Sequence, residues 1–354
     1  MHSDNLDAPT SLVIAMTSKI TNISRCLGLV VMVLMAAAPG ASAQQAKVTT
    51  MRLSTATLND AQHEWMKRFA AAIEKNTNGG IKAELYPASQ LGTIPRQIEG
   101  TQQGSVHCWI GPPEFLVGVD PRFEILGAPG LFRDDKHAFT VFDDTAFVNA
   151  FLGMATNKGL TGAAMFFTGP ASYNMRAPTH HLADLKGRKI RVLASQFQTE
   201  PLKRLGATGV PMTLGDVLPA LQQGTIDGAY GAVSVFGALK YYDAAKYMVE
   251  TRQAYFYSVA MLSKRWYDGL PADLQEQIMT AAKQAAREVL PWSLEFLDQS
   301  RASWKANGGE MVTLPEAEAK ELHEKIATVG EEIVKDKPGM KPMWDMLTAL
   351  AKKH

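Results

Sequence analysis

Segments with the two-residue periodicity of β-strands alternate with segments of helical periodicity, and this alternation most constrains the fold. The first unit starts with a strand over residues 48–53 and continues with a helix that Asn59 or Asp60 is expected to cap. A second strand follows over residues 81–86. The helix between them has an apolar face of residues four apart, namely Trp65, Phe69 and Ile73. Strand–helix–strand units favour an α/β fold with mainly parallel sheets.

The second half of the chain follows the same alternation and ends in helices. Residues 188–193 have the pattern of a strand, and Thr213 is expected to cap a helix that Gly224 ends. A further helical pattern begins after Pro271, and Pro291 would kink or end it. If this helix continues past Pro291, it is long enough to lie across two lobes.

The composition is that of an ordinary globular protein with enough apolar residues for two cores. Of the 354 residues, 46% are hydrophobic and 20% are charged, and the formal net charge is +1. A protein that binds a phosphate backbone needs an excess of basic residues, so nucleic acid is not an expected partner.

The N-terminus has the pattern of a secretory signal peptide. Lys19 and Arg25 precede an apolar run over residues 27–38, and the small residues Ala41-Ser42-Ala43 follow. The run has about 12 residues, whereas a membrane-spanning helix needs about 20. We therefore expect residues 1–43 to be a signal peptide, with Met16 as the probable start, and the mature protein to be periplasmic.

Motifs of the common hydrolases, nucleotide-binding proteins and zinc enzymes are missing from the sequence. His63 and Glu64 begin a stretch like the zinc motif H-E-x-x-H, but Lys67 stands where the second histidine is required. Cys108 is the one cysteine outside the signal peptide and is expected to be a small buried residue. We expect no metal, no cofactor and no catalytic site.

Several stretches, in order along the chain, resemble a single family, the extracytoplasmic solute receptors of TRAP transporters (the DctP-like family). The stretches are ELYPASQLG at 84–92, GAPGLFRDDKHA at 127–138, LADLKGRKIRV at 182–192, LPALQQGTIDGAY at 218–230 and KYYDAAKY at 240–247. The resemblance implies a two-lobed α/β fold of the periplasmic-binding-protein type, with a ligand cleft between the lobes and a long C-terminal helix that bridges them. It also implies capture of a small organic acid, a carboxylate, and its delivery to integral-membrane permease subunits.

By this resemblance, lobe I comprises residues 44–168 and 257–296, and lobe II comprises residues 169–256 and 297–354. The strands that cross between the lobes would act as hinges, so that closure buries the ligand in the cleft.

Arg191 is the central residue of the expected site, because it matches the position of the family's carboxylate-binding arginine. A guanidinium stays charged and presents paired N–H donors that match the two oxygens of a carboxylate. Arg176 is either a second cation for a dicarboxylate or a structural residue. The other residues expected at the ligand are Thr57, His63, Trp109, Pro112, Tyr173, Leu214, Tyr230, Gly231 and Phe256.

The sequence departs from its relatives at two places. Tyr230 and Gly231 stand where relatives carry an acidic residue and its neighbour, and residues 169–171 replace a second arginine or a metal-binding glutamine. These departures disfavour a sialic-acid-type site and a metal-assisted oxoacid site. If several aromatic residues line the cleft, an aromatic or otherwise apolar monocarboxylate becomes the hypothesis to test.

Two alternatives stay open at the level of the sequence. An ABC-type receptor shares the two-lobed design but is expected to lack the KGRKIRV and ALQQGTIDG stretches. A secreted enzyme acting on a carboxylate would need a positioned acid, base, nucleophile or metal beside Arg191.

Overall fold

The protein is built on a single mixed β-sheet, seen in a computed structural model that describes residues 48–354; the predicted signal peptide lies outside the described residues. The strands are β1 (Thr49–Thr55), β2 (Ile81–Tyr86), β3 (Cys108–Gly111), β4 (Leu160–Met175), β5 (Lys189–Val192), β6 (Thr208–Pro211), β7 (Gly228–Ala232), β8 (Tyr247–Ser263) and β9 (Glu310–Val312). Their spatial order is β2-β1-β3-β8-β4-β7-β5-β6, and β9 pairs with β8. The strands predicted over residues 48–53, 81–86 and 188–193 correspond to β1, β2 and β5.

Helices connect the strands and cover the sheet. The α-helices are α1 (Ala61–Asn76), α2 (Ile94–Gln103), α3 (Asp135–Phe142), α4 (Thr145–Leu152), α5 (Gln196–Arg204), α6 (Leu214–Gln223), α7 (Val233–Ala238), α8 (Lys264–Asp268), α9 (Ala272–Ala306), α10 (Glu316–Ile326), α11 (Val329–Asp336) and α12 (Lys341–Lys353). Short 3-10 helices cover Pro113–Leu116, Pro121–Gly127, Gly153–Lys158, Leu182–Leu185, Tyr241–Asp243 and Pro338–Met340.

Helix α1 begins at a side-chain cap, as its sequence predicts. Asp60 Oδ1 accepts hydrogen bonds from the backbone N–H groups of Gln62 and His63, each at 3.1 Å. These are two of the donors that a helix N-terminus leaves without backbone partners. The predicted apolar face is fully buried and packs against the sheet and α9 through Trp65, Phe69 and Ile73.

The two longest strands, β4 and β8, run antiparallel through the centre of the sheet and join its two halves. In one half of this ribbon, β3 pairs with residues 259–262 of β8. In the other half, β7 pairs with residues 171–175 of β4. The pairing of β4 with β8 shifts register between Gly162 and Ala164, between Phe167 and Gly169, and between Pro170 and Ser172. Such bulges bend a strand and increase its twist. The last two lie where the ribbon passes from one half of the sheet to the other.

Helix α9 is the bridging helix that the family resemblance implies. It continues through Pro291 to Ala306, and its 35 residues give a length of about 52 Å. Its first part packs against α1, in the cluster that contains Trp65 and Phe69. Its last part packs against α7 and its neighbours, where Trp304 Nε1 donates to the carbonyl oxygen of Lys246 at 3.0 Å.

The C-terminal helices contact elements from both halves of the chain. Arg204 in α5 donates from Nη2 to Glu332 in α11 at 2.6 Å. In α12 the carbonyl oxygen of Ala351 lies 2.9 Å from His137 Nε2, at the start of α3. The segment 297–354, which the sequence places with lobe II, therefore also packs on residues placed with lobe I.

Cys108 is fully buried in β3, and burial raises the pKa of its thiol. Within residues 48–354, no helix is both long and apolar enough to cross a membrane.

Candidate ligand-binding site

A cavity lies where the parallel strands of both halves of the sheet end. Ala56 and Thr57 follow β1 and Pro112 follows β3, while Leu193 follows β5. Gly231, near the end of β7, also lines the cavity. The carboxyl ends of parallel strands are the usual ligand-binding edge of open α/β sheets. The space not occupied by protein atoms is about 520 Å³, part of it open to solvent.

The wall of this cavity is largely apolar. Four lining residues have polar side chains: Thr57, Gln62, Thr168 and Arg191. Two are glycines, Gly111 and Gly231. The remaining twelve are apolar and come from strands, loops and helices on both sides: Ala56, Ile94, Trp109, Ile110, Pro112, Phe115, Leu193, Leu214, Ala232, Val235, Phe236 and Phe256.

Arg191 is held at the cavity by two backbone carbonyl groups. Its Nε donates to the carbonyl oxygen of Met212 at 3.0 Å, and its Nη1 donates to that of Tyr230 at 3.1 Å. Among residues 48–354, Nη2 has no hydrogen-bond partner and no carboxylate lies within 4.0 Å of the guanidinium. Arg191 is 3% exposed, and burial lowers the pKa of the guanidinium to about 10, so that it is still charged at neutral pH. The outer edge formed by Nη1 and Nη2 is thus available to a ligand.

Two glycines allow aromatic rings to lie against the backbone of the wall. A Cβ atom at Gly111 would be 2.4 Å from Cζ2 of Trp109, and one at Gly231 would be 2.9 Å from Cζ of Phe236. These distances are below those that real Cβ contacts show. Gly231, which the sequence analysis selected as a ligand contact, therefore also makes room for a ring.

Seven of the predicted site residues line the cavity: Thr57, Trp109, Pro112, Arg191, Leu214, Gly231 and Phe256. They come from β1, β3, β5, β7, β8 and helix α6, or from the residues that directly follow these strands. The fold thus brings together positions spread over 200 residues of sequence.

Four predicted residues do not line the cavity, and three of them have local roles instead. His63 Nδ1 accepts a hydrogen bond from Asn59 N at 3.1 Å, at the start of α1. Tyr173 is buried and donates to Gln253 Oε1 at 3.0 Å. The ring of Tyr230 packs between Tyr173 and Phe256, with centroid distances of 5.2 and 5.4 Å. Tyr230 therefore supports the wall through Phe256 and holds Arg191 through its carbonyl group, rather than forming the wall itself.

Arg176 is the fourth of these residues, and its position argues against a second cation in the site. The side chain is exposed and lies against Gly224, at the end of α6. Its backbone N–H donates to the carbonyl oxygen of Asp227 at 3.0 Å. The interpretation of Arg176 as a structural residue at the surface fits this placement.

The other eleven lining residues are not among the individually predicted site residues: Ala56, Gln62, Ile94, Ile110, Gly111, Phe115, Thr168, Leu193, Ala232, Val235 and Phe236. Leu193 directly follows β5, so the rule that ligands bind at strand ends could have identified it. Most of the others are apolar residues that have no signature distinguishing a cavity wall from a core.

A second cluster of polar and charged groups, which we call the acidic contact, lies beside the cavity and consists of Glu124, Ser195, Gln196 and Lys337. Glu124 Oε2 accepts from Ser195 Oγ at 3.1 Å and from Gln196 N at 2.7 Å, while Oε1 accepts from Lys337 Nζ at 2.6 Å. The contact therefore ties the 3-10 helix Pro121–Gly127 to the start of α5 and to the C-terminal segment.

Glu114 is linked to the cavity wall through Gln198. Its Oε1 accepts from Gln198 Nε2 at 3.3 Å, and Gln198 Oε1 accepts from the backbone N–H of Leu193, a lining residue, at 2.8 Å. Oε2 is buried and has no partner among the described residues. Burial raises the pKa of Glu114 to about 7, and the charge of Arg191 opposes this shift only in part.

Residues 48–354 contain no group of three or more histidine, cysteine, aspartate or glutamate residues placed to hold a metal ion.

Comparison with known proteins gives a family match over most of the chain. Residues 54–337 match the family described as bacterial extracellular solute-binding protein, family 7 (DctP). The 2,3-diketo-L-gulonate-binding periplasmic protein YiaO of Escherichia coli K12 is 29% identical over 255 residues, which cover 72% of this chain and 77% of that protein.

Solved structures agree with the fold and with the two-lobed architecture. A TRAP periplasmic solute-binding protein from Xanthobacter autotrophicus Py2, with bound β-D-galacturonate, has a TM-score of 0.78 and 28% identity, covering 84% of this chain and 99% of that one. The sugar acid-binding protein DctPAm from Advenella mimigardefordensis, in complex with galactonate, has a TM-score of 0.82 and 24% identity, covering 87% and 99%. The predicted α/β, two-lobed fold class is confirmed.

The family match also decides between the alternatives left open by the sequence, since its members are receptors that bind solutes rather than enzymes. The chain belongs to the bacterial extracellular solute-binding protein family 7, the DctP family of TRAP solute receptors.

Proposed function

We propose that this protein is a periplasmic receptor that binds a small organic carboxylate at Arg191 and delivers it to the integral-membrane subunits of a TRAP transporter. The observation that carries the proposal is the buried guanidinium at the cavity, with Nε and Nη1 held by carbonyl groups and Nη2 without a partner among the described residues.

The electrostatic argument favours an anionic ligand. A buried charge is strongly destabilised unless it is paired, and carbonyl dipoles supply only part of the compensation. The outer edge of the Arg191 guanidinium has the geometry that accepts both oxygens of a carboxylate. Relatives support this assignment, because the ligands in their names, diketogulonate, galacturonate and galactonate, are all acids.

The lobe assignment completes the proposal. We place lobe I at residues 44–168 and 257–296 and lobe II at residues 169–256 and 297–354, with the hinge in the β4–β8 ribbon. The bulges at 167–169 and 170–172 support this position, because irregular strand pairing is easier to bend than a regular ladder. Closure about this hinge would bury the ligand, and opening would release it to the permease.

A thermal-shift screen of the purified protein tests the receptor function. The panel spans C4-dicarboxylates, oxoacids, sugar acids and aromatic acids, with neutral sugars and amino acids as controls. A ligand at 100 times its dissociation constant adds about 2.7 kcal/mol to the free energy of unfolding, which raises the melting temperature of a protein of this size by a few degrees. Arg191→Lys keeps the charge but loses the paired geometry, so it should reduce the shift. No shift with any acid, or an equal shift in Arg191→Lys, would contradict the proposal.

Cell fractionation and N-terminal sequencing test the location. The mature protein is expected in the periplasmic fraction and is expected to begin at Gln44, after cleavage at Ala41-Ser42-Ala43. A cytoplasmic protein with an intact N-terminus would contradict this part of the proposal.

A further inference from the structure

The composition of the cavity wall indicates which chemical groups the ligand carries besides its carboxylate. Twelve of the eighteen lining residues are apolar, and four of them, Trp109, Phe115, Phe236 and Phe256, are aromatic. Arg191 is the only charged residue among the described residues that line the cavity. Resting on the proposed function, we infer that the ligand is a monocarboxylic acid with an apolar, ring-sized body, rather than a polyhydroxylated sugar acid or a dicarboxylate.

Most polar side chains of the wall form hydrogen bonds with other side chains of the protein. Thr57 Oγ1 donates to Asp60 Oδ1 at 2.7 Å, and Thr168 Oγ1 shares a hydrogen bond with Ser258 Oγ at 3.0 Å. Gln62 Oε1 accepts from Thr55 Oγ1 at 3.0 Å. Among the described residues, the side-chain donors of the wall without a hydrogen-bond partner are Gln62 Nε2, Arg191 Nη2 and the indole N–H of Trp109, which is buried.

This supply of hydrogen-bonding groups is too small for a sugar acid. A uronate carries several hydroxyl groups besides its carboxylate, and each needs a partner when the cavity excludes water. An apolar ring needs none and gains from contact with aromatic side chains. The second carboxylate of a dicarboxylate would lie against an apolar wall with no cation, because Arg176 is exposed outside the cavity.

Isothermal titration calorimetry with two matched acids tests the inference directly. Cyclohexanecarboxylate and D-galacturonate both carry a carboxylate on a six-membered ring, and they differ in the hydroxyl groups and the ring oxygen. Benzoate, D-glucuronate and succinate complete the panel. We expect cyclohexanecarboxylate or benzoate to bind at least about 100-fold more tightly than either uronate or succinate, because the wall leaves polar groups of the ligand unpaired.

A variant that changes only the polarity of the wall sharpens the test. Val235 in α7 is partly buried at the cavity, and Val235→Thr replaces a methyl group by a hydroxyl group of similar size. The hydroxyl would place a polar atom against the apolar body of the ligand, so the dissociation constant of an apolar acid should rise by about fivefold or more. The affinity for a uronate should not fall. Val148→Thr in α4 is the matched control, because Val148 is also partly buried but does not line the cavity.

The outcomes separate this inference from the proposed function. If a uronate or succinate binds as tightly as the apolar acids, and Arg191→Lys weakens that binding, the inference is overturned and the receptor function stands. If the apolar acids bind more tightly but Val235→Thr and Val148→Thr have equal effects, the wall does not select the ligand and the inference is also overturned. If no acid binds, both fail. A melting temperature for each variant shows that it is folded.

Discussion

The cavity and the acidic contact are neighbours, and each combines residues from the first and second halves of the chain, but they handle charge differently. In the acidic contact, both carboxylate oxygens of Glu124 accept hydrogen bonds, and Lys337 supplies the opposite charge. In the cavity, Arg191 is bonded only to carbonyl groups, and its Nη2 has no hydrogen-bond partner among the described residues. One region satisfies its buried charge within the protein, and the other leaves part of it for a ligand.

Glu114 is intermediate between Glu124, whose two oxygens both have partners, and Arg191, which has no charged partner within residues 48–354. One of its oxygens is bonded to Gln198, and the other is buried without a partner among the described residues. No cation among residues 48–354 forms an ion pair with Glu114, and burial raises the pKa of its carboxyl to about 7. All three charged groups are buried, but only Glu124 has an oppositely charged partner in the described part of the chain. An ion-pair partner, rather than burial alone, therefore distinguishes a charged group that stabilises the fold from one that can titrate or bind a ligand.

The largest expected effect is on ligand affinity when Arg191 is replaced by an uncharged residue. Arg191→Met removes the charge, so the ligand carboxylate would be buried without a cation. This loss corresponds to about 3–5 kcal/mol, or roughly a 150- to 5000-fold increase in the dissociation constant. Calorimetric titration with the acid that gives the largest thermal shift measures it. A dissociation constant within tenfold of the wild-type value would remove Arg191 from the site.

The second effect is the pH dependence of stability due to Glu114. In the unfolded chain this carboxyl ionises near its ordinary pKa of 4.5, whereas in the folded protein it keeps its proton up to about pH 7. Unfolding between these values releases a proton, so the contribution of Glu114 to the free energy of unfolding falls as the pH rises from 4.5 to 7 and is constant above that. The decrease is about 3 kcal/mol.

Urea denaturation of Glu114→Gln across this pH range measures the contribution. The variant should lose most of this decrease, because the amide does not titrate. Glu99→Gln is the matched control, since Glu99 is exposed in α2. Equal pH profiles for wild-type protein and Glu114→Gln would show that Glu114 does not titrate in this range.

The third effect is the loss of stability when the acidic contact is weakened. Glu124→Gln keeps an acceptor but removes the charge that three donors share, so the free energy of unfolding should fall by about 2 kcal/mol. Ligand affinity should change by less than about twofold if the contact only holds the fold. A large loss of affinity with unchanged stability would mean that the acidic contact and the cavity are not separate in function.

The smallest effect is expected at Arg176, the matched control for Arg191. Arg176→Met makes the same chemical change at an exposed position, so affinity should stay within about twofold and stability within about 0.5 kcal/mol. The same titrations measure it. A loss comparable to that of Arg191→Met would support the second-cation interpretation instead.

Local signals in the sequence predicted the framework of the fold well. Asp60 was one of two predicted caps for α1, and β1, β2 and β5 occur where their periodicity indicates. The sequence leaves the course of α9 open, because a proline inside a helix can end it or be tolerated. The packing of α9 on both α1 and α7 supports its continuation, and that packing is a tertiary property.

The site could be predicted only in part. Arg191 was found through the family resemblance, whereas the carbonyl groups of Met212 and Tyr230 that hold it have no side-chain signature. Tyr230 and Gly231 are adjacent in β7, but Gly231 lines the cavity, whereas the ring of Tyr230 packs between Tyr173 and Phe256. Residues such as Phe236 look like core residues until the elements around them are assembled.

A crystal structure of the protein with its bound acid tests the central claim most directly. The account predicts a carboxylate whose two oxygens lie about 2.7–2.9 Å from Nη1 and Nη2 of Arg191, with the rest of the ligand against the apolar wall. A ligand bound elsewhere, or one bound in the cavity with its carboxylate away from Arg191, would contradict it.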